Sequence, residues 1–245
     1  DGRHFIVRVL SYLPGQLLDD ATLHPALLRD VGAMAARLAR ALRGFEHPQA
    51  RHEMVWDLTQ ASALRTRTHH IQEQDCRRVV EEVFDHFDAE VLPQLKTQRA
   101  QVIHNDVSEL NTLVDGNRVV GVIDFGDLIH TPLICDLAVP IAELIREHPE
   151  PIATAAEITA GYHAVTALED DELGLIFDLA STRCAMEVTI ASWRVVDHPE
   201  NTKYILGSIE ETSAQLIWMR EFGAEIMSAA LRRACATPAP CGRAV

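Results

Sequence analysis

The chain has 245 residues, 47% of them apolar and 24% charged, enough to bury a core as one large domain or two small ones. Its 22 basic and 36 acidic residues leave a net charge of −14, which argues against nucleic acid as a partner and is compatible with steering a cationic ligand. No apolar run approaches the ~20 residues of a membrane span, Asp1-Gly2-Arg3-His4 does not open like a secretory signal, and five scattered cysteines without CxxC spacing fit a reducing, cytoplasmic setting.

Residues 4–10 form an apolar, β-branched stretch that reads as a strand running into a turn at Ser11-Tyr12-Leu13-Pro14-Gly15. Residues 22–42 repeat apolar positions at helical spacing up to Gly44. Residues 48–57 are loop-like, and 71–95 predict a second long helix with Pro93 near its end. The period then changes. Gln101-Val102-Ile103, Thr112-Leu113-Val114 and residues 119–123 read as short strands, the last two joined through Asp115-Gly116-Asn117-Arg118 as a hairpin. Beyond Pro132 the pattern is helical over about 134–147, 151–168, 171–196 and 202–233, and 236–245 reads as a disordered tail. These elements predict one α-rich α+β body around a small hairpin sheet.

The informative window is residues 102–127, VIHNDVSELNTLVDGNRVVGVIDFGD. Phosphoryl transfer from ATP to a hydroxyl needs a carboxylate to orient the acceptor and take its proton, and oxygen ligands to hold Mg²⁺ against the phosphates. Asp106 and Asn111 share one loop, and the hairpin returns Asp124 to the same end of the sheet. Charge and reach then make Asp106 the candidate base, Asp124 the main metal ligand and Asn111 a neutral metal ligand. His69-His70 is the one adjacent histidine pair, and without a second ligand pair it does not make a zinc site.

This window resembles the kinase-like phosphotransferases. His104-Asn105-Asp106 stands where protein kinases have HRD and aminoglycoside phosphotransferases have HGD, and Asp124-Phe125-Gly126 matches DFG. The longer Gly121-Val122-Ile123-Asp124-Phe125-Gly126-Asp127 is similar to the aminoglycoside phosphotransferase and hydroxylysine kinase branch. Cys135-Asp136-Leu137-Ala138 resembles that branch's D-L-A segment, whose aspartate is a structural brace. No APE-like segment follows at activation-loop distance, which disfavours a protein kinase. The resemblance implies a protein-kinase-like α+β fold with a mostly helical C-terminal lobe, and ATP and Mg²⁺ as cofactors. It places the last strand of an N-terminal lobe and its hinge at 1–15, the phosphotransferase C-terminal lobe at 16–235, and the tail at 236–245. At the hinge the Ser11 carbonyl and Leu13 amide would face the adenine edge, with Leu10 lining the pocket; an ordinary strand-to-helix turn is the other reading.

The resemblance also calls for a glycine loop and a strand lysine ahead of the hinge. The ten residues before Ser11 hold no lysine and one glycine, the first lysine is Lys96, and no Walker A string replaces them. The expectation is a fragment of a longer enzyme, inactive or weakly active alone; a non-catalytic ligand-binding or scaffolding module derived from the same fold is the alternative. The segment around 124–138 also resembles the phosphotransferase part of bacterial proteins joined to a class III aminotransferase, so further domains of a longer chain are expected context. The acceptor implied is a small hydroxylated amine, cationic or zwitterionic: an amino acid, amino alcohol or aminoglycoside. Trp56, Asp57, Glu187 and Trp193 are candidates to hold its ammonium, by cation–π contact or charge. Arg183 or Arg194 would suit a carboxylate. Packing is the alternative for the tryptophans, a solvated helix face for Glu187, and pairing with nearby acids for the two arginines.

Overall fold

Helix α1 (Pro25–Ala41) starts where the sequence supplies both a cap and a rigid first residue: His24 accepts from the Leu27 N–H through Nδ1, and Pro25 occupies the first turn. Its Leu27, Val31, Ala35 and Ala39 face is buried. The computed structural model describes residues 7, 9–146 and 148–236. Most of the strand expected over 4–10 lies outside the described residues; Val7, Val9 and Leu10 are exposed and in no strand. The tail expected over 236–245 also lies outside them, except that Ala236 closes the last helix.

The expected helix over 71–95 is three pieces. Helix α2 (Gln74–His86) begins later than the periodicity suggests because Glu73 caps it, accepting from the Asp75 and Cys76 amides. A π turn at Phe87–Val91 then leads into α3 (Leu92–Leu95). Pro93 lacks an N–H and its ring crowds the carbonyl four residues back, so the regular α register gives way just before it. Residues 58–70, for which periodicity predicts nothing, wind as successive 3₁₀ turns capped by Asp57. Leu58, Ala61 and Leu64 are buried at a strict three-residue step, the period of that helix.

Two small sheets carry the middle of the chain. In one, β1 (Gln16–Leu17), β3 (Thr112–Asp115) and β4 (Arg118–Val122) lie in the order β1-β3-β4, antiparallel throughout. The hairpin turn uses Gly116 at φ +55°, where a side chain would be strained. In the other, β2 (Ala100–Ile103) pairs antiparallel with β5 (Ile129–Pro132), Ile103 opposite Ile129. Strand β5 is a finding of the structure: four residues ending in proline give no usable alternation.

Helices α4 (Cys135–Leu144), α5 (Pro151–Val165) and α6 (Asp170–Asp197) follow. Helix α6 is buried along most of its length and opens with a reciprocal capping box between Glu169 and Glu172. Glu172, 1% exposed, also takes a two-pronged ion pair from Arg99 at 2.7 Å, which ties the start of β2 to α6. The helix expected over 202–233 breaks into α7 (Thr202–Ile205), α8 (Ile209–Phe222) and α9 (Ala224–Ala236), with Gly223 left-handed at φ +84° between the last two. The result is an α+β body whose single core is largely helical, with both sheets at one end. Among the described residues no helix is long and apolar enough to cross a membrane.

Candidate active site

Strand β2 delivers the chain to His104 and β4 delivers it to Ile123, and these two exits are clasped together. The Ile123 N–H donates to the Asn111 carbonyl at 2.9 Å, and the His104 Nε2 meets the Ile123 carbonyl at 3.1 Å. His104 is fully buried, and burial lowers its pKa despite the Ile123 hydrogen bond. It is therefore a neutral ring, donating from Nε2 to Ile123 and accepting the Asp106 N–H at Nδ1, 3.3 Å away. The two loops of the informative window are thus one unit.

Backbone conformation aims the carboxylates. Asn105 at φ +68° and Asp124 at φ +58° are the non-glycine left-handed residues among the described ones. The Asn105 amide donates to Oδ1 of Asp136 at 2.8 Å. Asp136 is fully buried, and burial pushes its pKa up to about 7 against the pull of the Asn105 and His104 amides. Past this bend Asp106 meets Asn111: the Asn111 Nδ2 donates to the Asp106 carbonyl at 3.1 Å and to its Oδ2 at 2.5 Å. Burial raises the Asp106 pKa; the Arg183 charge and the Asn111 hydrogen bond oppose it, and the charges of Asp127 and Asp124 add to it. Asp124 is exposed and folds back to accept the Gly126 N–H at 3.1 Å.

This donor set fits a hard divalent cation that is held in part by phosphates. Asn111 spends its Nδ2 on Asp106, which leaves its Oδ1 outside that bond, and Asp124, next to the Ile123 amide that is bonded to Asn111, is exposed. Among the described residues no group of three or more His, Cys, Asp or Glu side chains could enclose a metal. One carboxylate and one neutral oxygen match the habit of Mg²⁺, which keeps waters and substrate phosphates as its other ligands.

Of the acceptor candidates, the structure brings two to Asp106. The Arg183 guanidinium lies 4.4 Å above the Trp56 ring, and its Nη2 is 3.4 Å from Asp106 Oδ1. Of the other four, Arg194 is exposed on α6 and three are engaged in the fold. Asp57 is buried and accepts from the Thr59 amide at 3.0 Å and the Thr131 hydroxyl at 2.9 Å. Glu187 accepts from Ser208 at 2.9 Å and Thr212 at 3.1 Å and pairs with Arg146 at 3.3 Å, which fastens α8 to α6. The Trp193 ring carries the Arg67 guanidinium 4.4 Å away. Leu10 and Ser11 are exposed, and Leu13 lies against β4, where a Cβ on Gly121 would come within 3.0 Å of its Cδ1.

Sequence reasoning missed Glu143 and Glu109. The Glu143 Oε2 accepts the Glu109 N–H at 3.0 Å, its pKa is raised to about 7 by burial, and Arg183 opposes that shift. A signal existed: beside Asp136, Glu143 is the sole charged residue of α4, an otherwise apolar helix.

The phosphotransferase enzyme family, APH, matches residues 1–173. The chain belongs to this family. It is similar to the hydroxylysine kinase of Xenopus laevis, 29% identical over 89% of this chain, and to that of Danio rerio, 30% identical over 82% of it. It spans 63% and 59% of those two proteins' lengths. The fold also resembles that of amicoumacin kinase hAmiN, solved with AMP-PNP, Ca²⁺ and Ami, at a TM-score of 0.59 and 15% identity, covering 84% of this chain and 62% of that one. Family membership accounts for the fold and for the clasped loops; at this identity the solved structure speaks for fold alone.

Proposed function

We propose that this chain is the catalytic lobe of a phosphotransferase that moves the γ-phosphoryl group of ATP to the hydroxyl of a small amine-bearing acceptor. The observation that carries the reading is the arrangement of Asp106, held by the Asn111 amide at 2.5 Å, beside the strand exit that presents Asp124. Asp106 is half-buried and accepts only through oxygen, so an acceptor hydroxyl seated on it is oriented and loses its proton there as the new O–P bond forms. Asn111 Oδ1 and the Asp124 carboxylate would hold the divalent ion, which when bound offsets charge on the nucleotide phosphates. Ser11 and Leu13 would receive adenine through their backbone, with Leu10 beside it. Trp56 and Arg183 line the acceptor side.

The test is turnover of the natural full-length protein against a panel of hydroxylated amines, with and without Asp106→Asn. The substitution keeps the size and hydrogen-bonding reach but cannot take a proton, so kcat is expected to fall by about 10²–10⁴-fold with nucleotide affinity unchanged by calorimetry. Unchanged turnover removes Asp106 as the base, and absence of any phosphorylated acceptor with the unaltered protein removes the reading itself.

A further inference from the structure

Arg183 carries a charge that the fold does not fully use. It is 6% exposed on α6, its guanidinium carbon lies over the Trp56 ring at 4.4 Å from the centroid, and its Nη2 stands 3.4 Å from Asp106 Oδ1. That separation is long for a charge-assisted hydrogen bond, which closes to about 2.7–2.9 Å when it is made in earnest. Its Nη1 is buried and has no hydrogen-bond partner. Leaving a donor of a buried guanidinium idle costs free energy, and a ligand acceptor at the same fork would recover it.

The neighbouring cation, Arg146, also leaves a buried donor, Nε, without a partner, but its charge is spent. Arg146 pairs with Glu187, which Ser208 and Thr212 hold in place, so its charge belongs to the joint between α6 and α8. Asp106 is its ion-pair partner, at that long distance, and the further acids of this cluster do not cancel the charge. Glu143 is engaged by the Glu109 amide, and burial opposes ionisation of both Glu143 and Glu109. Trp56 covers the guanidinium, whose N–H edge is the side that matches a carboxylate with two parallel N–H bonds.

We propose that Arg183 reads a carboxylate on the acceptor, so that the substrate is a hydroxylated amino acid and not a bare amino alcohol. This rests on the phosphotransferase reading only for where the hydroxyl sits. With Nη2 at 3.4 Å from Asp106, a hydroxyl on Asp106 and a carboxylate on Arg183 lie within about 9 Å of each other, two hydrogen-bond lengths beyond that distance. A short, single-chain acceptor satisfies this, and a carboxylate at the far end of a large antibiotic does not.

The stacked Trp56 supplies the readout. Trp193→Phe with Trp218→Phe leaves Trp56 as the one tryptophan of the chain's three, and its fluorescence is titrated with matched pairs. Threonine is set against 1-amino-2-propanol, the same skeleton without its carboxylate, and 5-hydroxylysine against its carboxamide. The carboxylate member of at least one pair is expected to bind about tenfold or more tightly. Arg183→Met is expected to bring that ratio close to one. Arg183→Lys, which keeps the charge and loses the fork, is expected to give a reduced ratio, and it decides the matter if circular dichroism shows Arg183→Met unfolded. No preference in the unsubstituted background overturns the proposal, as does a preference undiminished in Arg183→Met, or in Arg183→Lys where that variant decides. Turnover of the same pairs in the full-length protein separates the two claims. Binding preference without turnover defeats the phosphotransferase reading and leaves Arg183 its role. Equal loss of turnover for both members of a pair, at constant ratio, reduces Arg183 to a prop for Asp106 and overturns the proposal.

Discussion

Asn105 shows how one backbone angle serves the site. A left-handed conformation costs an ordinary L-residue roughly 1–2 kcal/mol, and asparagine is among the few that adopt it readily. Here the bend lets the Asn105 amide reach Asp136 and turns Asp106 toward Asn111. The Asn105 Oδ1 is buried without a partner, so the side chain contributes less than the angle does. Asn105→Gly is therefore expected to be neutral or slightly stabilising in a urea melt, whereas Asn105→Val costs about 2 kcal/mol and lowers turnover with it. Asp106, Asn111 and Asp124 were legible in sequence because they fall within one window joined by a tight hairpin. Arg183 was legible only as one of two arginines suited to a carboxylate. Its place beside Asp106 depends on which face of α6 turns inward, 77 residues further along the chain.

Between elements, α1 and α5 approach each other through two glycines. A Cβ built on Gly32 would lie 1.8 Å from the Ile158 carbonyl oxygen, and one on Gly161 would lie 2.0 Å from that of Arg29. Both obstacles are backbone, which no rotamer change can clear. Gly32→Ala and Gly161→Ala are each expected to lower stability by about 3 kcal/mol or more in thermal melts, against the slight gain alanine gives in an isolated helix. Helical periodicity predicted both helices and could not predict this crossing, because a glycine inside a helix reads the same whether it faces solvent or a neighbour. The 3₁₀ run at Leu58–His70 and strand β5 escaped for a related reason. Their stability comes from partners, Asp57 with Thr131 and β2 respectively, and not from a local pattern.

At the scale of the whole molecule, buried carboxyls couple stability to pH. The Asp136 carboxyl rises from its ordinary 3.8 to about 7 in the folded chain, because burial penalises its charged form. The folded state then holds this proton more tightly than the unfolded one. The group's stabilising contribution is complete below about pH 4 and is lost as pH rises through about 7. Glu143, also raised to about 7, acts in the same direction. Melting temperature is expected to fall between pH 5 and pH 8, and Asp136→Asn, which cannot ionise, is expected to flatten that slope. A slope unchanged in the variant would show that the proton sits elsewhere.

Local spacing alone carries the α+β class, most of the helices, the hairpin, the family resemblance and the candidate set Asp106, Asn111 and Asp124. All of these are written in local spacing, where a few residues fix both conformation and chemistry. The packing of distant segments selects which candidate acceptor residues meet Asp106. It turned Asp57, Glu187 and Trp193 into fixtures of the fold and brought Trp56 and Arg183 to Asp106. That sorting depends on how α6 rotates and packs against the 3₁₀ run, the loop that carries Asp106, and α8. Such packing is settled by the summed burial of many side chains, and no single stretch of sequence carries it.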